Sequence, residues 1–453
     1  MLGYLHTVTA TTDSTAAAPS TLADPVAAVR SFLEDNWDPD LSVAEWWNRL
    51  GLAGWAAPSL PVGAYGHGLS RSDAIAVLRE IGNFGALGPP AGLGLMLAAP
   101  TIATHGEPEQ FDSLLRDIVT GQKAWCQLFS EPGAGSDLAG LSARAVKDGD
   151  EWIVNGQKVW TSLGQTADMG MLIARTNPDA PKHQGITWFA IDMHQEGVEV
   201  RPLHEMTGHA MFNEVFMNDA VVRDADIVGG VNNGWAVTNT TLQAERSGLS
   251  AGGGGGATVA TPGTIAGQLD RRVGDLVAAK EAKPKPDAKA KKADDKPREA
   301  LLVQFARSFG KLGDPLIRQD LMRLHTMNAV AGFNAQRVKA AKAKGETIPG
   351  MANIGKLQQS DVVRLSRDLG LSILGASGML HAYTDEQREA LNEATGNPFL
   401  AMVTGSALYA QAPPIYGGTD QIQKNIIGER VLGLPKEPND DKTKPFSELP
   451  KNV

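Results

Sequence analysis

Three short stretches hold residue types suited to gripping an anion or a flat ring. Ser130-Glu131-Pro132-Gly133-Ala134-Gly135-Ser136-Asp137 is glycine-rich, so its backbone amides can approach an anion closely, and Ser136 adds a hydroxyl donor. Trp160-Thr161-Ser162 sets an indole beside two hydroxyls, a surface that can stack on an aromatic ligand and hydrogen-bond its edge. Tyr416-Gly417-Gly418-Thr419-Asp420-Gln421-Ile422-Gln423 removes two side chains where something must approach, then offers polar groups. Each stretch alone also has a plainer reading. The first is then a surface turn and the second a core tryptophan. The third is a loop ending in the N-cap of a helix carrying Ile422, Ile426 and Ile427.

The elements that must position these stretches follow from the pattern along 453 residues, a length for two to four domains. Residues 1–24 read as a disordered tail. Residues 25–125 read as a helical domain, opened by Asp24 as N-cap with Pro25 behind it and carrying a stripe of Ile75, Leu78 and Ile81. Residues 126–234 read as an antiparallel β-domain of short apolar runs. Asn155-Gly156 predicts a hairpin turn between Glu151–Val154 and Gln157–Trp160. Residues 235–453 return to helical periodicity, interrupted by an insertion at about 257–300. Its segment Lys280–Glu299 is charged and proline-containing, has no apolar residue larger than Ala, and predicts flexibility. The fold class is thus α+β multidomain: helical, then β, then helical.

Composition removes several functions. Lys+Arg 42 against Asp+Glu 51 leaves a net charge of −9, which argues against nucleic acid and anionic membranes as partners. The single cysteine, Cys126, excludes an internal disulfide and a thiolate-held cluster, and no histidine spacing suits a metal. Residues 1–24 lack the basic start and apolar run of a secretory signal, and the apolar stretch 86–104 is broken by Pro89, Pro90 and glycines. The expectation is a cytoplasmic chain with no stable membrane association.

The three stretches, in this order and on this domain pattern, resemble the acyl-CoA dehydrogenase family over about residues 25–436, the insertion excepted. The resemblance implies an N-terminal helical domain, a middle β-domain and a C-terminal four-helix domain. FAD would lie between the last two, usually with a neighbouring subunit contributing. It implies oxidation of the Cα–Cβ bond of an acyl-CoA to a trans-2-enoyl-CoA, with electrons leaving to an electron-transfer flavoprotein. Position by position, Gln127, Phe129 and Ser130 resemble the strand that meets the flavin. Ser136 resembles the serine near the phosphates or the CoA portion, and Trp160 and Ser162 the residues that flank the ring. Thr419 and Gln421 resemble a pair that contacts FAD. Arg307, one place displaced in Ala306-Arg307-Ser308-Phe309-Gly310, and Gln319 resemble further FAD contacts.

The chemistry needs a base, because the α-proton of a thioester is weakly acidic; a desolvated carboxylate typically contributes about 10²–10⁴-fold. Many members carry it as the second residue of Tyr-Glu-Gly-Thr, where this chain has Gly417. A minority places it on another helix before an Arg, which Leu242-Gln243-Ala244-Glu245-Arg246 matches. The resemblance therefore implies Glu245 as base, with Arg246 and Gly417 beside the substrate. The run Gly252–Gly256 either widens the acyl cavity for a branched or sterol-derived chain or leads flexibly into the insertion. The expected assembly is a homodimer or homotetramer, or a hetero-oligomer. The same scaffold also hosts acyl-CoA oxidases and flavin monooxygenases, and Gly417 also suits a silent subunit of a hetero-oligomer.

Overall fold

A computed structural model describes residues 22–250, 260–281, 300–436, 438 and 441–450. Helix α1 (Pro25–Asn36) starts where Asp24 accepts hydrogen bonds from the amides of Val26 and Ala27. Helix α2 (Val43–Leu52) opens on a reciprocal Ser42–Glu45 capping box. Helix α3 (Arg71–Phe84) buries Ala74, Val77 and Ile81. The expected stripe is corrected by one position, since Ile75 and Leu78 are exposed; residues 74, 77 and 81 share the inward face at spacings of three and four. Helices α4 (Ala99–His105), α5 (Pro108–Gln110) and α6 (Arg116–Val119) follow, with π-helical turns at Gly94–Ala98 and Phe111–Leu115.

The middle domain is one eight-stranded sheet in the order β6-β7-β3-β2-β4-β5-β8, with β1 paired to β4. Its strands are β1 (Trp125–Leu128), β2 (Arg144–Asp148), β3 (Glu151–Ser162), β4 (Met169–Arg175), β5 (Ile186–Asp192), β6 (Val198–Leu203), β7 (Phe212–Arg223) and β8 (Ile227–Val228). Pairing is antiparallel except at β1–β4 and β2–β4. The hairpin expected at Asn155-Gly156 is not there. β3 runs straight through it, and the turn falls instead at 149–150, between Asp148 and Glu151. Gly156 sits in a bulge against β7 because a Cβ there would meet the Ala143 Cβ at 2.6 Å. Asn155 exchanges hydrogen bonds with Asp219 across the same bulge.

Helix α7 (Gly234–Ser250) leads out of the sheet. Of the insertion expected to be flexible at about 257–300, residues 260–281 are instead built into the N-terminal core, while 257–259 and 282–299, with most of the charged segment Lys280–Glu299, lie outside the described residues. Ala260, Val273 and Leu276 are buried with Trp46 and Trp47, and Val273 begins helix α8 (Val273–Glu281). The amides of Val43 and Ala44 donate to the carbonyls of Arg271 and Leu269, and that of Val273 donates to Leu41. The C-terminal bundle comprises α9 (Leu301–Ser308), α10 (Pro315–Ala343), α11 (Met351–Leu374), α12 (Asp385–Thr395), α13 (Leu400–Tyr409) and α14 (Asp420–Ile426). Its own core gathers Phe305, Ile317, Leu321, Leu369, Ile373, Leu400 and Val403. The segment 441–450 crosses back to the β-domain, where Phe446 lies under the Arg175 guanidinium and its amide donates to Ala180.

Candidate active site

The structure brings the first two stretches together at one sheet edge. The Val159 amide donates to the Ser130 carbonyl at 2.9 Å, which sets β3 beside the chain leaving β1. Here β3 breaks register a second time, between Lys158 and Thr161. Trp160 is pushed out of the ladder with φ +61° and 58% exposure, its ring edge-on to Phe212. A left-handed tryptophan with a bare ring is strain held in place by the surrounding sheet, a common mark of a ligand contact. Ser130 and Ser162 are half-buried beside it, Gln127 is half-buried on β1, and Phe129 is buried. The Thr161 hydroxyl is buried and has no partner among the described residues. A bare indole flanked by the half-buried hydroxyls of Ser130 and Ser162 suits an isoalloxazine, so these residues fit the FAD they are expected to hold.

Beneath the glycine-rich loop lies a pair the sequence reading did not single out. Glu131 and Ala134 exchange backbone hydrogen bonds across Pro132-Gly133, leaving Gly133, Gly135 and Ser136 exposed. The Glu131 carboxylate turns inward, accepting from the amides of Ser142 and Ala143 and from Lys158 Nζ at 2.8 Å. Lys158 is fully buried and also donates to the Phe129 carbonyl. Burial pushes its ammonium below the ordinary value while Glu131 opposes that fall. Arg175 nearby is held down to about 10, first by burial. The signal was present in part: Glu131 lies inside Ser-Glu-Pro-Gly, and Lys158 precedes the apolar pair Val159-Trp160 on β3.

The third stretch sits apart, on the bundle. Gly417 and Gly418 both have positive φ, +62° and +84°. Gln423 folds back so that its amide donates to both their carbonyls, and its oxygen accepts from Asn353. Thr419 caps α14 by accepting from the Ile422 amide, so its hydroxyl has a structural task as well. Buried Asp420 receives Arg364 at 2.5 Å. Burial would raise its carboxyl, but hydrogen bonds from Ser360 and Arg364 hold it below the usual value. Gln421 is exposed. Arg307 is exposed at the end of α9, and Gln319 lines an open cleft with Arg318 and Met322 at the start of α10. Within one chain these five residues lie on the bundle, on elements separate from the Trp160 edge.

Glu245 is placed by helix packing. Thr101 meets Thr241 through their hydroxyls at 3.0 Å, and His105 Nε2 meets the Thr240 hydroxyl at 2.7 Å, so α4 and α7 run antiparallel. One turn past Thr241 brings half-buried Glu245 level with the turn Gly94–Ala98, which packs on α7. That turn borders a cavity of about 160 Å³ between Gly94, Leu95, Ile118, Trp125, Leu163 and Pro262. The Arg246 side chain and the run Gly252–Gly256 lie outside the described residues. Gly417 offers no carboxylate; a Cβ there would meet only Lys356 Cε, at 3.7 Å. Among the described residues there is no group of acidic, histidine or cysteine side chains fit for a metal, and no helix is long and apolar enough to cross a membrane.

Comparison with known proteins agrees with this layout. Family profiles match in order: acyl-CoA dehydrogenase N-terminal domain at 22–122, middle domain at 126–220 and C-terminal domain at 301–432. The chain is 34% identical over 398 residues to acyl-CoA dehydrogenase IpdE1 of Mycobacterium tuberculosis, covering 86% of this chain and 88% of that one. It is also 34% identical to acyl-CoA dehydrogenase FadE34 of the same organism, but spans only 46% of that longer protein. Among solved structures, the ChsE4-ChsE5 complex from Mycobacterium tuberculosis superposes with a TM-score of 0.57 at 26% identity, covering 91% of this chain and 97% of the other.

Proposed function

We propose, from the premise that the chain belongs to the acyl-CoA dehydrogenase family of FAD-dependent oxidoreductases, that Glu245 is its catalytic base. The observation that supports this is the seating of α7: it packs on α4 and on the turn Gly94–Ala98 with Glu245 half-buried, while position 417 is a glycine. Its carboxylate takes the α-proton of the bound acyl-CoA thioester as the β-carbon loses hydride and the trans-2 double bond forms. Bound FAD supplies the hydride acceptor. Glu245 is half-buried, and desolvation raises a carboxylate's basicity toward a weak carbon acid.

Trp160, Ser130 and Ser162, with Gln127 and Phe129, hold the flavin ring on this reading, and Ser136 on its exposed loop meets phosphate or CoA. Arg307, Gln319, Thr419 and Gln421 serve the cofactor from the bundle of a neighbouring copy or related chain, and Arg246 and Gly417 border the substrate. Support for the shared site comes from α10. This 29-residue helix leaves Leu316, Met322, Val330, Phe333 and Val338 exposed, an apolar surface suited to another subunit. The acyl group is bulky or branched, as in fatty-acid or sterol side-chain breakdown, and the electrons leave to an electron-transfer flavoprotein.

The test is Glu245→Gln. The purified variant should keep its flavin absorbance and lose substrate bleaching by about 10²–10⁴-fold. Bleaching at the wild-type rate would remove Glu245 from the role. Peroxide released stoichiometrically with turnover would replace the dehydrogenase reading with an oxidase.

A further inference from the structure

Past residue 432, where the family's C-terminal match ends, the segment 441–450 returns to the β-domain and docks as a strap on residues 177–185. Pro445 forms a bridge with Pro181, and the amides of Phe446 and Ser447 donate to the carbonyls of Ala180 and Pro178 at 3.0 and 2.9 Å. Against the strap lies Arg175, which is only 3% exposed. Its guanidinium stands 3.8 Å from the centroid of the Phe446 ring. Nη1 donates to the Lys182 carbonyl at 2.7 Å, and Nη2 donates to the carbonyls of Ala139 and Leu141 at 2.6 and 3.3 Å. A planar guanidinium fixes its acceptors in one arrangement, and a ring against its face holds that plane.

Lys182 carries the hold onward. It is 7% exposed, and its Nζ donates to both carboxylate oxygens of Asp137, at 3.1 and 2.9 Å. The strap's Asp441 stands 3.7 Å from the same ammonium. The glycine-rich loop is thus tied at both ends. Glu131 and Ala134 close one end within the β-domain, and Asp137 closes the other through Lys182. Gly135 and Ser136 lie exposed between the two ties. A glycine-bearing loop offers its amides and hydroxyl to an anion in one arrangement only when its ends are fixed, and fixed donors bind without first being ordered. The first tie belongs to the sheet. The second borrows from the far end of the chain.

We propose that the strap 441–450 sets the glycine-rich loop to hold a phosphate, with Phe446 and Lys182 as positioning residues. This rests on the reading that Ser136 meets a phosphate of FAD or of the CoA portion. Phe446 acts through Arg175 on the chain just after the loop, and Lys182 acts through Asp137 on the loop itself.

The experiment reads two quantities on the full chain: the Kd of FAD, and the KM of butanoyl-CoA relative to that of S-butanoyl-pantetheine, which carries no phosphate. Phe446→Ala should raise one of them about threefold to tenfold. The first rises if the phosphate is the cofactor's, the second if it is CoA's. Phe446→Tyr, which keeps a ring against the guanidinium, should stay at the wild-type value. Lys182→Met, a separate route to the same loop, should raise the same quantity about tenfold. A merely structural role would raise KM for both thioesters alike. That equal rise, or no change in either quantity in Phe446→Ala, would overturn the inference. If Ser136→Ala changes neither quantity while Phe446→Ala shifts one, the serine's part in the reading fails and the strap stands. Absence of turnover on butanoyl-CoA by the wild type would overturn dehydrogenation, and the Kd of FAD alone then decides the strap.

Discussion

The Trp160 edge of the β-domain and the Gly417–Gln421 loop of the bundle both present candidate cofactor contacts, but they are secured by different means. The first rests on a fully buried ion pair, Lys158 with Glu131, whose lone pairs are also taken by the amides of Ser142 and Ala143. The second rests on partly exposed partners: Arg364 on Asp420, a threonine cap, and a glutamine folded over two glycine carbonyls. The β-domain edge completes itself within one chain. The bundle keeps large apolar residues such as Leu316 and Phe333 in the open. The contrast teaches that, on the proposed reading, one half of the site is fixed by folding and the other is left for a second subunit to finish.

The sharpest way to break this contrast is Lys158→Met. Removing the cation leaves a buried carboxylate uncompensated, and urea unfolding should show a loss of about 3–5 kcal/mol. Arg364→Ala should cost about 1–2 kcal/mol in the same assay, because its pair is partly hydrated. Equal losses in the two variants would erase the distinction. Thr419→Ala removes one cap hydrogen bond and should cost about 1 kcal/mol.

The smallest effect concerns pH. Burial holds His105, which bridges α4 to α7, below its ordinary value. The unfolded chain then binds a proton that the folded chain refuses between the folded value and about 6.5. Stability falls as pH drops through that window and falls no further below it. His105→Gln should flatten this acid limb in unfolding curves taken from pH 7.5 to 5, and a limb of unchanged slope would locate the sensitivity elsewhere.

The domain order was legible because periodicity and turn residues are local signals. The two glycine-bearing loops and Trp160 stood out for the same reason. What the sequence concealed was non-local. Asn155-Gly156 has the chemistry of a hairpin turn, yet β7 pairs along both sides of it, so tertiary pairing converts the turn into a bulge. Residues 260–281 follow a glycine run and look peripheral, but Val273 and Leu276 complete a core begun more than two hundred residues earlier by Trp46. Glu131 and Lys158 were each visible, and only the fold shows that they touch. Trp125 reads as an ordinary strand residue until the fold shows it lining a cavity.

Position 417 has a consequence for how this enzyme can change. Space is not what keeps a side chain out, since a Cβ would find only a lysine methylene at van der Waals distance. The backbone keeps it out: φ is +62°, a conformation that costs an L-residue roughly 1–2 kcal/mol. A glutamate introduced there by one substitution would carry that strain, so any carboxylate gained at 417 is set against the stability of the loop that presents it.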